Sequence, residues 1–372
     1  MKTRNIILIG LFATALFTTL ITGCKKDKKE EPLPQENIIP ERFYVEIPDA
    51  INSATNPQNK KEDEIQGGDV YKHIRNFIHI GDEAAKTMRD LLIAFRKLNI
   101  YGVKTVTFKA NEDGRMKKIE ITEKQNYEGT TWQYKMIVTD ESSKENAIHF
   151  YWNIKSIKGI AFLHFYNINQ NIEKRFTNTM YKIEYNEDAK GNYQKEMTVS
   201  LTNLPEEKSD GTFDKNYVKS LKMFVGKKDN MVEIYGNSHH PTVRFIDTAN
   251  VWAGGRNYAF VARCNDALNI AVAEVGLPPL TAEETGNELL KKYSVYKIFS
   301  DEIHSIGIKD QTVIDSFLKN TKPPGYFMGG KGFVSSGDSI PSTNKTEYLE
   351  LKDLSKLSPF KPKDVAELVI KF

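Results

Sequence analysis

Residues 130–140 of the chain read TTWQYKMIVTD, a run in which apolar and polar side chains alternate. Successive side chains of a β-strand point to opposite faces, so Trp132, Tyr134, Met136 and Val138 would share one face. The turn sequence Asn-Tyr-Glu-Gly precedes the run at positions 126–129. The stretch therefore predicts a strand with one buried and one solvated face, which is typical of an antiparallel sheet.

The same period of two recurs along the chain, and short turn sequences separate the runs. Besides residues 130–140, alternating runs begin at Val106, Ile119, Ile148, Ile160, Tyr181, Met197, Leu221 and Val232. Short strands joined by tight turns pair with their neighbours in sequence. The pattern predicts an antiparallel meander of about nine strands that bends into a curved sheet or an open half-barrel.

Helical spacing comes before this meander and after it. Apolar residues recur every three or four positions from Asp69 to Leu98, which predicts an amphipathic helix on the concave side of the sheet. Gly81-Asp82 should divide it into two helices, with Asp82 as the N-cap of the second. The fold class is therefore α+β, with residues 67–250 forming the helix and sheet.

Residues 251–372 are expected to be a helical and loop region packed on the same domain. Spacing from Val261 to Val275 predicts one helix, Thr281 with Glu284 resembles a capping box that opens a second, and Asp310 begins a third. Gly325 to Gly332 matches G-x-x-x-x-G-K, but Gly332 stands where a phosphate-binding loop needs Ser or Thr, so a flexible loop is expected. Alternation favours edge strands at Phe43 to Ile47 and Ala366 to Phe372.

Composition limits the classes of partner. The 372 residues contain 52 lysines and arginines against 49 acidic residues, a formal net charge of +3 at pH 7. Phosphate recognition depends on a basic excess, so nucleic acid is not expected as a partner. Two cysteines, Cys24 and Cys264, exclude a disulfide framework, and Cys264 lies in an apolar run that predicts a buried, inert thiol.

Few residues suggest a chemical site. His239 and His240 are adjacent and lack the spacing of a metal site, and the acid–base groups Asp301, Glu302 and His304 are interpreted as a solvated helix end. We expect no catalytic residue, no metal and no cofactor. The aromatic residues Tyr134, Trp152 and Phe162 are the candidates for lining a ligand cleft, although core packing is the ordinary role of such side chains.

The amino terminus has a distinct character. Lys2 and Arg4 precede an uncharged stretch that ends at Ile21-Thr22-Gly23-Cys24, after which the lysine-rich sequence KKDKKEEP begins. This arrangement resembles the lipobox of bacterial lipoproteins, which are cleaved before the cysteine by signal peptidase II. The resemblance implies that residues 1–23 are a signal peptide, that Cys24 is lipidated, and that residues 24–66 form a charged tether.

The expected function follows from this resemblance and from the lack of a recognisable group of catalytic residues in the sequence. We expect an outer-membrane-anchored lipoprotein with a non-catalytic binding or envelope-structural role, whose partner is an envelope protein or a glycan or lipid ligand. The cell-surface side is preferred to the periplasmic side because lysines and acids directly after the cysteine resemble surface-export tags. The alternatives are a membrane-anchored hydrolase of glycan or peptide, and a carrier that holds an apolar ligand in a half-barrel cleft.

Overall fold

The computed structural model describes residues 37–52, 67–172, 176–207, 213–240 and 255–372. Within these ranges the chain forms one open antiparallel sheet of thirteen strands and seven helices, so the α+β class is confirmed and the number of nine strands is wrong. The strands are β1 (Thr105–Lys109), β2 (Met116–Tyr127), β3 (Thr130–Asp140), β4 (Asn146–Asn153), β5 (Lys158–His164), β6 (Met180–Glu187), β7 (Lys195–Glu207), β8 (Phe213–Lys228), β9 (Met231–His240), β10 (Arg256–Asn265), β11 (Ile270–Gly276), β12 (Gly325–Met328) and β13 (Gly332–Ser336).

Each strand pairs with its neighbours in sequence, and β1 and β13 are the two edges, so the spatial order is the sequence order from β1 to β13. The helices are α1 (Gly67–Arg96), α2 (Phe165–Ile168), α3 (Gly286–Lys292), α4 (Val295–Ser305), α5 (Gln311–Phe317), α6 (Lys345–Leu351) and α7 (Pro362–Ala366). Among the described residues, no helix has both the length and the apolar character needed to cross a bilayer.

Helix α1 is continuous over 30 residues, so the predicted break at Gly81-Asp82 is wrong. Gly81 serves close packing instead: a Cβ added there would lie 2.5 Å from the Cε of Met223 on β8. Asp82 is fully buried and bonds side chains of other segments rather than capping a helix. The glycine therefore brings the helix onto the sheet, which outweighs its low helix propensity.

The predicted helix from Val261 to Val275 is also wrong, because this stretch forms the hairpin of β10 and β11. Both faces of β10 are buried: Phe260 and Ala262 join the main core beneath α1, while Ala259 and Val261 pack in a second cluster with α3 and α6. A strand buried on both faces loses the alternation of a half-exposed strand. The run consequently imitates the spacing of an apolar helix.

Several shorter segments differ from expectation as well. The predicted capping box at Thr281 opens no helix, since α3 starts at Gly286, whereas Asp310 does cap α5. Residues 325–336 form the β12–β13 hairpin rather than a flexible loop. Neither 43–47 nor 366–372 is a strand, although Phe43, Val45 and Ile47 are buried in the main core.

The sheet has two faces with different covers. Helix α1 and the extended segment 38–51 pack on one face and form the main core. On the opposite face, the later strands are covered by α3, α6 and α7. The strands β3 to β6 carry there a separate aromatic cluster, which packs with Leu368 and Ile370 of the segment after α7.

Candidate functional site

An apolar cavity of about 50 Å³ lies between the end of α1 and the first strands. Helix α1 contributes one wall, strands β1 to β4 contribute the other, and α2 closes one side. The lining residues are Leu91, Ala94, Phe95, Leu98, Phe108, Ala110, Glu112, Lys117, Val138, Ala147, Ile148 and Ile168. Ten of these twelve side chains are apolar, so the cavity suits hydrocarbon rather than a polar substrate.

Part of the lining is accessible from outside. Leu91, Leu98, Phe108 and Ile168 are only partly buried, although all four pack against the main core. They form the mouth of the cavity, whereas Ala147 and Ile148 are buried at 1% and 2% exposure and form its floor. The cavity is therefore a groove that is open at these four side chains rather than a sealed void.

A buried charge network supports the polar end of this groove. The Nζ of Lys117 lies 2.9 Å from Asp113 Oδ2 and 2.7 Å from Asp140 Oδ2, and it also donates to the carbonyl of Asn167. Arg115 adds two hydrogen bonds to Asp140, at 2.6 and 2.8 Å. The network joins the β1–β2 turn, the end of β3 and α2.

The Asp140 carboxylate of this network is held in its ionised form. Burial alone would raise the pKa of Asp140, but hydrogen bonds from Arg115 and Lys117 outweigh burial and hold that pKa well below its usual range. Asp113 has a fully buried side chain and is bonded to the same ammonium. Both acids are therefore ion-pair partners of Lys117, and the lowered pKa of Asp140 makes that residue a poor candidate for general acid catalysis.

The three aromatic candidates do not converge on one cleft. Tyr134 and Trp152 stack at 5.4 Å between ring centroids in the main core, where Trp152 donates its Nε1–H to the carbonyl of Ile38. Phe162 lies on the other face of the sheet, in the aromatic cluster. None of the three lines the groove described above.

Trp132 belongs to that opposite cluster, together with Tyr151, although the alternation placed it beside Tyr134. Regular pairing of β3 with β4 starts only at Tyr134. Before that point, the side chain of Asn153 accepts from the amide of Gln133, and the side chain of Gln133 accepts from the amide of Ile154. The backbone hydrogen bonds between β3 and β4 are interrupted there, so alternation along β3 no longer determines on which face of the sheet Trp132 lies.

One group of potential metal ligands exists among the described residues: atoms of His79, Asp82 and Glu83 lie within 4.8 Å of one another on α1. The ammonium of Lys86 lies between the two carboxylates, 2.6 Å from Asp82 and 3.0 Å from Glu83. Tyr44 also donates to Asp82. The side chains of the protein thus already supply the cation and the hydrogen bonds that these carboxylates need.

The remaining candidates stay apart from the groove. Asp301, Glu302 and His304 lie on α4, where burial raises the pKa of Glu302 to about 7. His239 is buried on β9, and His240 ends the same strand. Among the side chains that the structure describes, none of Asp301, Glu302, His304 and His239 lines the groove.

Of the two cysteines, the structure describes Cys264 alone. Cys264 is fully buried, so the predicted burial of its thiol is confirmed, and burial raises the pKa of that thiol. Cys24 and the residues Ile21, Thr22 and Gly23 before it lie outside the described residues.

Sequence reasoning missed Lys117, Asp113 and Asp140. One signal was present, because an acid and a lysine four residues apart flank the turn at Gly114. Asp140 ends the neighbouring strand β3, and its closeness to Lys117 follows from the register of β2 with β3, which the sequence does not reveal.

No protein-family model, curated protein sequence or solved structure matches this chain.

Proposed function

We propose that this protein is a lipid-anchored outer-membrane protein that binds an apolar ligand chain without chemical conversion. The observation that supports the proposal is the groove beside α1, whose lining is hydrocarbon except for Glu112 and Lys117. A glycosidase would need two carboxylates about 5–10 Å apart at its cleft. The groove has one lining carboxylate, and the neighbouring acids Asp113 and Asp140 are ion-paired.

The size of the groove defines the ligand more closely. An apolar cavity of ~150 Å³ holds a benzene molecule, and this one measures about 50 Å³. It admits the end of a narrow chain as it stands, and a longer stretch of chain enters when rim side chains such as Leu98, Phe108 and Ile168 rotate. We also propose that the sheet curves around α1 as a half-barrel.

Location rests on the lipobox resemblance. Signal peptidase II processing at Gly23-Cys24 would leave a lipidated Cys24, and several acyl chains would anchor the domain permanently. Metabolic labelling with a radioactive fatty acid tests this step. Label should enter the wild-type protein and be absent from Cys24→Ser; label in both proteins, or in neither, would contradict the anchor.

Ligand binding is tested on residues 24–372 carrying Cys24→Ser, in solution, with an environment-sensitive fluorescent fatty acid as the probe. Ala94→Phe places a ring in the groove and should weaken binding at least about tenfold. A tenfold loss corresponds to ~1.4 kcal/mol of binding free energy. Leu349→Phe makes a similar change at an exposed site on α6 and should leave binding unchanged. Equal binding by both variants would show that the probe binds elsewhere.

A further inference from the structure

The end of the domain where α1 meets β1 exposes large apolar side chains. Ile93 is 47% exposed, Tyr101 is 44% exposed and Val103 is 56% exposed. They lie within eleven residues of one another, on the last turns of α1 and on the connection to β1. Single exposed apolar residues are ordinary, so it is the occurrence of three within eleven residues that distinguishes this stretch.

This same stretch has a strong positive bias. Residues 93–111 contain Arg96, Lys97, Lys104 and Lys109 and no acidic residue, in a chain whose charges otherwise nearly cancel. Arg96 is neutralised by Glu41, at 2.9 Å. Within the described part of the chain, the three lysines Lys97, Lys104 and Lys109 form no ion pair. Their charges are therefore available to an anionic partner.

The amino-terminal segment joins the domain at this end. The amide of Ile38 donates to the carbonyl of Ile100, and the side chain of Asn37 donates to the carbonyl of Arg96. Asn37 comes thirteen positions after Cys24 in the sequence. Such a segment spans at most ~45 Å when extended and about 20 Å as a flexible coil. A lipid on Cys24 therefore keeps this end of the domain close to the membrane.

We infer that residues 93–104, which comprise the end of α1 and the connection to β1, are a membrane-contacting surface that rests on an anionic phospholipid bilayer. Tyr101 and Val103 enter the headgroup region, where an aromatic ring with a polar tip is well accommodated. Lys97 and Lys104, which are close to them in sequence, contact lipid phosphates. Interfacial binding of this kind needs both apolar insertion and electrostatic attraction.

The surface adjoins the groove, since Phe95 and Leu98 line the groove and lie between Ile93 and Tyr101 in the sequence. This part of the inference rests on the proposed function: the ligand would then be an acyl chain of a membrane lipid, taken up from the bilayer on which the domain rests. The ligand would travel a short distance and stay out of water. Docking onto the membrane does not itself depend on the groove being occupied.

Fluorescence quenching measures the orientation. The lipidated full chain is placed in vesicles of phosphatidylcholine with one-third phosphatidylglycerol, and a single fluorophore is attached at Thr105→Cys or at Lys331→Cys. Cys264 is buried and Cys24 is blocked by lipid, so labelling is specific. Lys331 is next to Gly332, where an added Cβ would lie 2.8 Å from the guanidinium of Arg75 on α1. Arg75 is about 27 Å along the helix from Ile93. Nitroxide lipids should quench the label at 105 at least about twofold more than the label at 331.

Two variant pairs test the cause. Tyr101→Ser with Val103→Ser, and Lys97→Glu with Lys104→Glu, should each remove the excess quenching at 105 while the protein stays anchored. Leu349→Ser with Lys345→Glu makes matched changes on α6 and should preserve it. Equal quenching at both positions, or an excess that the first two pairs do not reduce, would overturn the inference. Quenching that grows with protein density would indicate self-association and would also overturn it. Fatty-acid binding in solution is scored separately, so either result leaves that test intact.

Discussion

The Nζ of Lys117 and the Oδ2 of Asp140 lie 2.7 Å apart, with side-chain exposures of 3% and 0%. The two residues are cross-strand partners of β2 and β3, and their ion pair joins the sheet to α2 through the carbonyl of Asn167. An ion pair removed from water in this way depends on each partner for its stability. It therefore fixes the polar end of the groove.

Replacing Lys117 by methionine should destabilise the protein strongly. The variant leaves Asp113 and Asp140 buried without their ammonium, and the loss of one partner of a buried pair costs about 3–5 kcal/mol. Urea unfolding followed by circular dichroism measures this. Lys118→Met removes a surface pair with Glu120 and should change the free energy of unfolding by less than about 0.5 kcal/mol. Similar losses in the two variants would contradict the assigned role of Lys117.

Glu302 should make stability decline with rising pH. Burial raises the pKa of Glu302 to about 7, and the nearby Arg256 opposes this only in part. Because folding favours the protonated acid, its contribution is most favourable below the unfolded pKa of ~4.3 and declines as pH rises towards the folded value. Glu302→Gln should abolish that decline between about pH 4.5 and 7, measured as free energy of unfolding.

The neighbouring variant Asp301→Asn is the control for Glu302→Gln, because Asp301 is exposed on the same helix. It should retain the wild-type slope of stability against pH. A wild-type slope in Glu302→Gln would show that the decline comes from another group.

His149 should act in the opposite pH direction. Burial, with help from Lys135, lowers the pKa of His149 to about 4, and the ring of Phe372 packs against it at 4.6 Å. Protonation of His149 in the unfolded chain should reduce stability as pH falls from ~6.5 towards the folded pKa. Phe372→Ala opens the imidazole to water, so a titration by nuclear magnetic resonance should show a higher pKa for His149. Val369→Ala, at a residue 68% exposed, should leave this pKa unchanged.

Gly236 on β9 should tolerate no side chain. A Cβ there would lie 2.5 Å from the carbonyl oxygen of Lys222 and 2.9 Å from the Cα of Met223, and neither backbone atom can move freely. Gly236→Ala should cost about 1–3 kcal/mol through overpacking. Gly102→Ala meets no atom within 4 Å and serves as the control in the same unfolding measurement. Comparable stability of the two variants would contradict this account.

The sheet was predictable wherever strands have one wet face, as in β3, because a period of two then records burial directly. Prediction failed at β10, where Ala259 to Ala262 are buried on both faces and give no such record. Gly81 was misinterpreted for a related reason, since a helix break and a close helix–sheet contact both favour glycine. Local sequence does not distinguish the two causes.

The groove itself could not be predicted from the sequence. Its lining combines the end of α1 with four strands and α2, and its ion-pair network depends on a cross-strand register between Lys117 and Asp140. Such contacts are set by tertiary pairing rather than by residue type. The exposed apolar and basic residues at 93–104 were visible in the sequence, but their position beside Asn37 required the hydrogen bonds to Arg96 and Ile100.

A sheet in which every strand pairs only with its sequence neighbours has a consequence for biogenesis. Most neighbouring strands are joined by short loops, although 48 residues separate β11 from β12. Strands β1 to β11 can therefore add one after another to an existing edge as the chain leaves a ribosome or a secretion pore. Helix α1 is made first, yet it packs on β6, β7, β8 and β13. The part of its apolar stripe that contacts β13 must therefore wait for the last strand, and this interval is when a chaperone would be most useful to the nascent protein.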